Sequence, residues 1–113
     1  MTYTFKFDNA AFVSFIKNQI PYKRWDYSSS SSCPIAQYLL HEAKDFDDVG
    51  VGPVTVDFYR NNVCIGSTDL PEGWDVLVRS VHIEARSNNK RNPTWAELYE
   101  RAWTTLTPKG NRT

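Results

Sequence analysis

The chain has 113 residues, of which 41% are hydrophobic and 14% aromatic, and its thirteen lysines and arginines are balanced by thirteen aspartates and glutamates. This length suits one domain with one core, and so much apolar surface argues against global disorder. Because the net charge is zero, no overall field attracts nucleic acid or anionic lipid, and electrostatic binding has to come from local patches. We therefore expect a single domain over residues 1–113.

The same composition bears on the compartment. No stretch approaches the roughly 20 apolar residues of a membrane span, and the start MTYTFKFDN lacks the charged-then-apolar order of a signal peptide. The two cysteines, Cys33 and Cys64, could pair only in an oxidising compartment, and we expect both to be reduced. The sequence therefore predicts a cytoplasmic protein without a membrane partner.

The first predicted elements lie before Pro21. Residues 2–7 alternate aromatic and polar side chains, which is typical of a half-buried strand or an extended arm. Asp8 suits a helix N-cap, and the apolar residues that follow recur with helical spacing until Pro21. We expect a first helix over residues 9–19.

A loop is predicted over residues 21–32, PYKRWDYSSSSS, because this segment has no hydrophobic period and is rich in turn-forming residues. Its serines predict mobility. Its cations and aromatic residues include Lys23, Arg24, Trp25 and Tyr27. A second basic segment, EARSNNKRN, is expected to be a polar loop, and its cations are Arg86, Lys90 and Arg91.

A second helix is predicted over residues 34–44. Ser32 or Cys33 would cap it, and Pro34 stands at the first helical position, where a missing N–H is tolerated. Because cysteine is among the most buried residue types, Cys33 is expected to begin a core helix. An acidic turn, Asp45 to Gly52, is expected to follow.

Alternating apolar and polar runs on either side of Asn61 and Asn62 predict a β-hairpin over residues 53–66, since two residues able to adopt positive φ suit its turn. Residues 71–85 fit both helical and strand spacing. We favour a helix over residues 71–82.

The last helix is predicted over residues 95–106. Thr94 and Glu97 have the spacing of a capping box, and Trp103 belongs to the apolar face that we expect to be buried. Residues 107–113 would form a C-terminal tail. The elements together predict a small α+β domain, in which a β-hairpin or a three-stranded antiparallel sheet packs against three to four helices.

Cys33 also has a catalytic interpretation. A helix N-terminus lowers the pKa of a thiol, and SSCPIAQYL resembles the nucleophile helix of papain-like hydrolases. His41 on the same helix would lie about 12 Å along the axis, out of reach, so His82 is the candidate base. Pro34 occupies the position where those enzymes have a small residue. We favour a buried, inert Cys33 over this cysteine hydrolase.

The segment DFDDVG matches part of a calcium-loop pattern through Asp45, Asp47 and Gly50. Val49 and Val56 occupy positions that need oxygen ligands, so the coordination sphere fails. The histidines and cysteines lack the paired spacing of a zinc site. The sequence predicts neither a metal nor a cofactor.

Three segments, YSSSSSCPIAQYLL, VGPVTV and TWAELYERA, together resemble small proteins of phages and prophages over roughly residues 20–106. Many such proteins bind and block host machinery, including CRISPR and restriction systems. The resemblance implies an inhibitor of the anti-CRISPR kind in the cytoplasm of a bacterial host. Its partner would be a host protein or a ribonucleoprotein complex.

The leading hypothesis is therefore a non-enzymatic inhibitor or accessory factor that binds a host defence or nucleic-acid-processing complex. Trp, Tyr and Arg dominate interface energetics, and the loop concentrates all three. The predicted partner contacts, in the loop and the acidic turn, are Tyr22, Lys23, Arg24, Trp25, Tyr27, Glu42, Asp45, Asp47 and Asp48. The alternatives are the Cys33/His82 hydrolase and weak binding of single-stranded nucleic acid by the cations and aromatics of the loop.

Overall fold

A computed structural model describes residues 3–28 and 32–107. This part of the chain forms four helices and one antiparallel sheet of strand order β1-β2-β3, which confirms the predicted α+β class. The elements are α1 (Asn9–Lys17), α2 (Pro34–Glu42), β1 (Asp48–Val51), β2 (Thr55–Arg60), β3 (Val63–Asp69), α3 (Trp74–Asn89) and α4 (Trp95–Leu106). Residues 29–31 of the predicted loop and 108–113 of the predicted tail lie outside the described residues.

Local signals set where three of the helices begin. The Asp8 carboxylate accepts the first free N–H groups of α1, as predicted. Cys33 is the N-cap of α2, with Pro34 at its first turn. Thr94 and Glu97 form the predicted capping box of α4. The two short helices end earlier than expected, since α1 stops at Lys17 and α2 stops at Glu42.

The hairpin is confirmed. Asn61 and Asn62 have φ values of 53° and 66° and connect β2 to β3. The prediction of a turn over residues 45–52 is wrong in its second half, because β1 pairs there with β2 and places Val49 opposite Phe58. A strand of four residues is too short for its alternation to stand out in the sequence.

Residues 3–7 form an extended arm rather than a strand of the sheet. Their aromatic side chains are half-buried while Thr4 and Lys6 are exposed, so the predicted alternation is present. The Tyr3 N–H donates to the Ile65 carbonyl at 2.8 Å, which lays the arm along β3. A Cβ added at Gly66 would lie 2.3 Å from the Tyr3 carbonyl oxygen, so this crossing requires glycine.

Residues 71–85 fitted both helical and strand spacing, and the favoured helix is present from Trp74 onwards. This helix, α3, continues to Asn89, well past the predicted end at residue 82. The expected polar loop is therefore shorter, and Arg86 lies on the helix. Lys90 ends α3 in the left-handed conformation, with φ of 55°. Among residues 82–88 of α3, Ala85 alone is buried, which explains why the apolar pattern fades there.

The core is centred on Trp74. Its ring stacks on Phe12 with centroids 4.2 Å apart, and its Nε1–H donates to the Asn9 side-chain oxygen at 2.7 Å. Phe58 from the sheet and Leu98 from α4 are fully buried in the same cluster. Trp103 is only partly buried against this core, so the expectation of full burial is wrong.

Candidate functional site

Residues 21–28 and 32 are the described part of the predicted loop, and we call residues 20–25 the anchored loop. Hydrogen bonds join its backbone to residues 93–96, at the start of α4. The bonds run from the Trp25 N–H to the Pro93 carbonyl, from the Trp95 N–H to the Lys23 carbonyl and from the Ala96 N–H to the Pro21 carbonyl, at 3.0 to 3.1 Å. Arg24 and Thr94 form an isolated antiparallel bridge. The loop thus has a defined backbone path.

Trp25 is the buried anchor of this loop. Its side chain is 1% exposed, its Nε1–H donates to the Thr94 carbonyl at 3.1 Å, and its ring packs near Trp95. The prediction that Trp25 contacts a partner is therefore wrong, because the indole is used inside the fold.

The residues on either side of this anchor face the solvent. Tyr22 is 81% exposed and Ile20 is 51% exposed, and Lys23 and Arg24 are exposed as well. The Arg24 guanidinium donates through Nη1 to the Asn92 carbonyl. The anchored loop therefore presents an aromatic ring, an aliphatic side chain and two cations on a fixed backbone.

Tyr27 lies beyond this surface, in a polar cluster on α3. Its hydroxyl donates to the buried Asp75 carboxylate at 2.7 Å, and Asp75 faces Arg79 at 3.8 Å. Burial, followed by the bond to Asp75, raises the pKa of Tyr27 to about 12. The Tyr27 ring lies over His82, with centroids 5.4 Å apart. Tyr27 thus fastens the chain to α3 and is only partly available to a partner.

Cys33 is 4% exposed. Burial raises the pKa of its thiol, although backbone hydrogen bonds from Ala36 and Ile35 at the helix N-terminus oppose that rise. A nucleophilic cysteine needs access and a lowered pKa. Cys33 has the helix position of a nucleophile but the environment of a core residue.

His82, the proposed base, has a buried Nδ1 without a hydrogen-bond partner among the described residues. Its ring faces the Tyr27 ring. The Asp26 carboxylate accepts from the Ser28 N–H and hydroxyl, and these bonds lower the pKa of Asp26. The contacts of His82 are therefore with the loop that covers α3.

The predicted acidic contacts lie against the sheet. Asp45 accepts from the Tyr3 hydroxyl at 3.3 Å, and Asp47 accepts from the Asn61 N–H at 3.1 Å. Asp48 is the first residue of β1, and Glu42 is the last residue of α2. These four acids are exposed. The bonds of Asp45 and Asp47 tie these two acids to the arm and the hairpin, whereas the anchored loop is tied to α4, so the predicted site is divided between two parts of the fold.

Sequence reasoning missed that the two basic segments meet. The bond from Arg24 to Asn92, and the backbone pairing beside it, bring the anchored loop against the residues that follow Lys90 and Arg91. The only sequence signal was that both segments carried adjacent cations. Their pairing is a tertiary contact that no local pattern encodes.

Two grooves flank α4. One, of about 310 Å³, separates α3 from α4, and its charged lining residues are Glu84, Glu97, Glu100 and Arg101. The other, of about 560 Å³, separates α1 from the end of α4 and is lined in part by Val13, Tyr99, Trp103 and Leu106. In the first groove Arg101 pairs with Glu84 at 2.6 Å, which neutralises part of its charge.

No three His, Cys, Asp or Glu side chains within residues 3–28 and 32–107 are grouped as a metal site requires. Over the same residues, no helix combines the length and the apolar character needed to cross a membrane.

The fold and the loop together define a small α+β protein with an anchored aromatic loop at the start of its last helix. Comparison with family models, with curated proteins and with solved structures yields no match.

Proposed function

We propose that this protein is a non-enzymatic binding protein of the phage type, an inhibitor or accessory factor that blocks a host defence or nucleic-acid-processing complex. The observation that supports this proposal is the exposure of Ile20 and Tyr22, at 51% and 81%, on a loop whose backbone is hydrogen-bonded to residues 93–96. An exposed aromatic side chain on a fixed backbone is suited to binding.

The physical reason is pre-organisation. Association has to offset the ordering of loops and side chains, and a loop that is already fixed loses less conformational freedom. Buried Trp25 fixes the loop from inside the fold. Tyr22 offers an exposed side chain of a residue type that is enriched at interface hot spots. Tyr22, Lys23 and Arg24 therefore remain proposed contacts, and Ile20 joins them.

The nature of the target rests on the resemblance of three segments, YSSSSSCPIAQYLL, VGPVTV and TWAELYERA, to phage and prophage proteins. Many proteins of that kind bind and block host machinery. We therefore propose a bacterial protein or ribonucleoprotein complex as the partner.

The experiment is quantitative capture from a nuclease-treated bacterial lysate. Wild type is compared with Tyr22→Ala and with the control Val63→Ala, which truncates a 63% exposed side chain on β3. We expect a host protein that wild type and the control retain equally and that Tyr22→Ala loses by about tenfold or more. The proposal is overturned when no captured protein depends on Tyr22, or when the control loses it equally.

Labelling of the two cysteines tests the proposal that the protein is not an enzyme. Cys64 is exposed and Cys33 is buried, so one serves as the reference for the other in iodoacetamide labelling. We expect Cys64 to react at neutral pH and Cys33 to react only after denaturation. Rapid labelling of Cys33 below neutral pH would instead favour the Cys33/His82 hydrolase.

A further inference from the structure

Two basic segments far apart in the sequence form one corner of the protein. The Arg24 guanidinium donates to the Asn92 carbonyl, and the Trp25 N–H donates to the Pro93 carbonyl. We propose that this corner binds single-stranded nucleic acid. We call it the basic corner, and its cations are Lys23, Arg24, Arg86, Lys90 and Arg91.

The cations of the basic corner are available to phosphate. All five are exposed. Arg86 lies in the last turn of α3 and Lys90 caps the end of this helix, and the Lys90 N–H donates to the Arg86 carbonyl, so the two residues are one turn apart. Arg79 is left out of the corner because its guanidinium faces the Asp75 carboxylate at 3.8 Å.

The acids near these cations are engaged locally. Asp26 accepts from the N–H and hydroxyl of Ser28. Glu97 accepts from the N–H and hydroxyl of Thr94 in the capping box. Two carboxylates against five cations leave the corner positive, so a polyanion is the complementary ligand.

The opposite charge collects on the sheet. Four acids are exposed in the turn before β1 and on the sheet: Asp45, Asp47, Asp48 and Asp69. These four acids outnumber the exposed cations of the same region, Lys44 and Arg60, so a polyanion is attracted to the basic corner and disfavoured at the sheet.

Tyr22 distinguishes a nucleic acid from other polyanions. Its ring is 81% exposed and lies next to Lys23 in the chain. Aromatic side chains beside a positive groove stack on successive bases of a single strand, whatever the sequence. An acidic protein surface has carboxylates for the same cations but no bases for this ring. This inference does not depend on the proposed protein partner, since purified protein and an oligonucleotide suffice to test it.

The experiment is fluorescence anisotropy with a labelled, mixed-sequence single strand of about ten nucleotides, a length within the usual site sizes. Titrations run from about 25 to 200 mM salt, a range over which phosphate contacts weaken strongly. Five phosphate contacts predict a slope of about −3.5 for log K against log salt. We expect the double variant Lys23→Gln/Arg91→Gln to bind at least tenfold more weakly, with a slope reduced in magnitude by about 1.4.

Two further variants make the test specific. Arg60→Gln removes one exposed arginine at the hairpin turn, outside the basic corner, and is the control for a cation elsewhere on the surface, for which we expect unchanged affinity and slope. Tyr22→Ala should weaken binding about tenfold with the slope unchanged, because stacking involves no counterion.

Three results overturn the proposal. One is the absence of binding at the lowest salt, and another is an equal loss in the Arg60→Gln control. The third is competition by poly-glutamate of matched charge as effective as that of the unlabelled oligonucleotide, which assigns the corner to an acidic protein surface. A failed protein capture leaves this assay unaffected, so the two proposals fail separately.

Discussion

Trp25 in the anchored loop and Trp103 near the end of α4 differ in burial, and in both cases the burial is the opposite of what the local sequence pattern suggests. Trp25 lies in a segment without periodicity, yet its side chain is 1% exposed. Trp103 lies on the apolar stripe of a strongly amphipathic helix, yet it is only partly buried and lines the groove beside α1. Periodicity identifies the face of a helix that can be buried, but burial also requires an element that covers it.

The physical difference is in the neighbours. Trp25 is covered because its segment pairs through backbone hydrogen bonds with residues 93–96. Near Trp103 the neighbour is α1, a helix of nine residues, and the groove of about 560 Å³ remains between the two helices. A tertiary contact buries the first tryptophan, and a short partner leaves the second one half open.

Trp25→Ala tests the comparison with the largest expected effect. Removing this buried indole should lower the free energy of unfolding by about 3 to 5 kcal/mol, because it leaves a cavity and frees the Thr94 carbonyl. Urea denaturation of the variant measures the change. A midpoint close to that of wild type would show that the anchor is not required.

Trp103→Ala should cost less, about 1 to 2 kcal/mol, because part of the side chain already contacts water. The same denaturation experiment compares the two variants directly. A loss equal to that of Trp25→Ala would mean that Trp103 is covered in solution.

Tyr27→Phe should cost about 1 kcal/mol, since it removes the hydrogen bond to Asp75. The pKa of Tyr27 is raised from 10.0 to about 12 in the folded state, so the protonated phenol favours folding. This contribution is complete below pH 10 and is lost as the pH rises to 12. The buried Tyr38, whose pKa is also raised to about 12, adds a loss over the same range.

To test this, the midpoint of urea unfolding is measured at several pH values from 8 to 12. The two phenols, whose pKa values are raised to about 12, ionise towards the upper end of this range. The stability of wild type should fall above pH 10, and Tyr27→Phe should fall less steeply. Parallel curves would contradict a role for the Tyr27 phenol.

Tyr22→Ala should have the smallest effect on stability, within about 0.5 kcal/mol, because its side chain is exposed. Thermal unfolding checks this, and it also validates the variant for both binding experiments. A large drop in Tm would mean that the ring packs on the fold.

Elements with local signals could be predicted from the sequence. The capping box at Thr94 and Glu97 and the turn at Asn61 and Asn62 fix their own conformations. β1 could not be predicted, because its four residues are stabilised by pairing with β2.

Some features of the candidate site could likewise be predicted from the sequence, and others could not. Tyr22 could be proposed from the sequence, since it lies in a loop that concentrates residue types typical of interfaces. The use of Trp25 and Tyr27 inside the fold depends on contacts across 69 and 48 positions of chain. The meeting of the two basic segments depends on a contact across 68 positions. Such contacts leave no periodic trace in the chain.

The crossing of the arm over Gly66 also predicts the order in which the arm and the hairpin fold. The hairpin closes through the two-residue turn, whereas the Phe5 N–H reaches the Thr68 hydroxyl across 63 positions of chain. Closing so long a loop before β3 exists would cost entropy without any contact in return, so we expect the arm to dock after the rate-limiting step of folding. Phe5→Leu should therefore accelerate unfolding and leave the refolding rate nearly unchanged in stopped-flow measurements, whereas slowed refolding would place the arm in the folding nucleus.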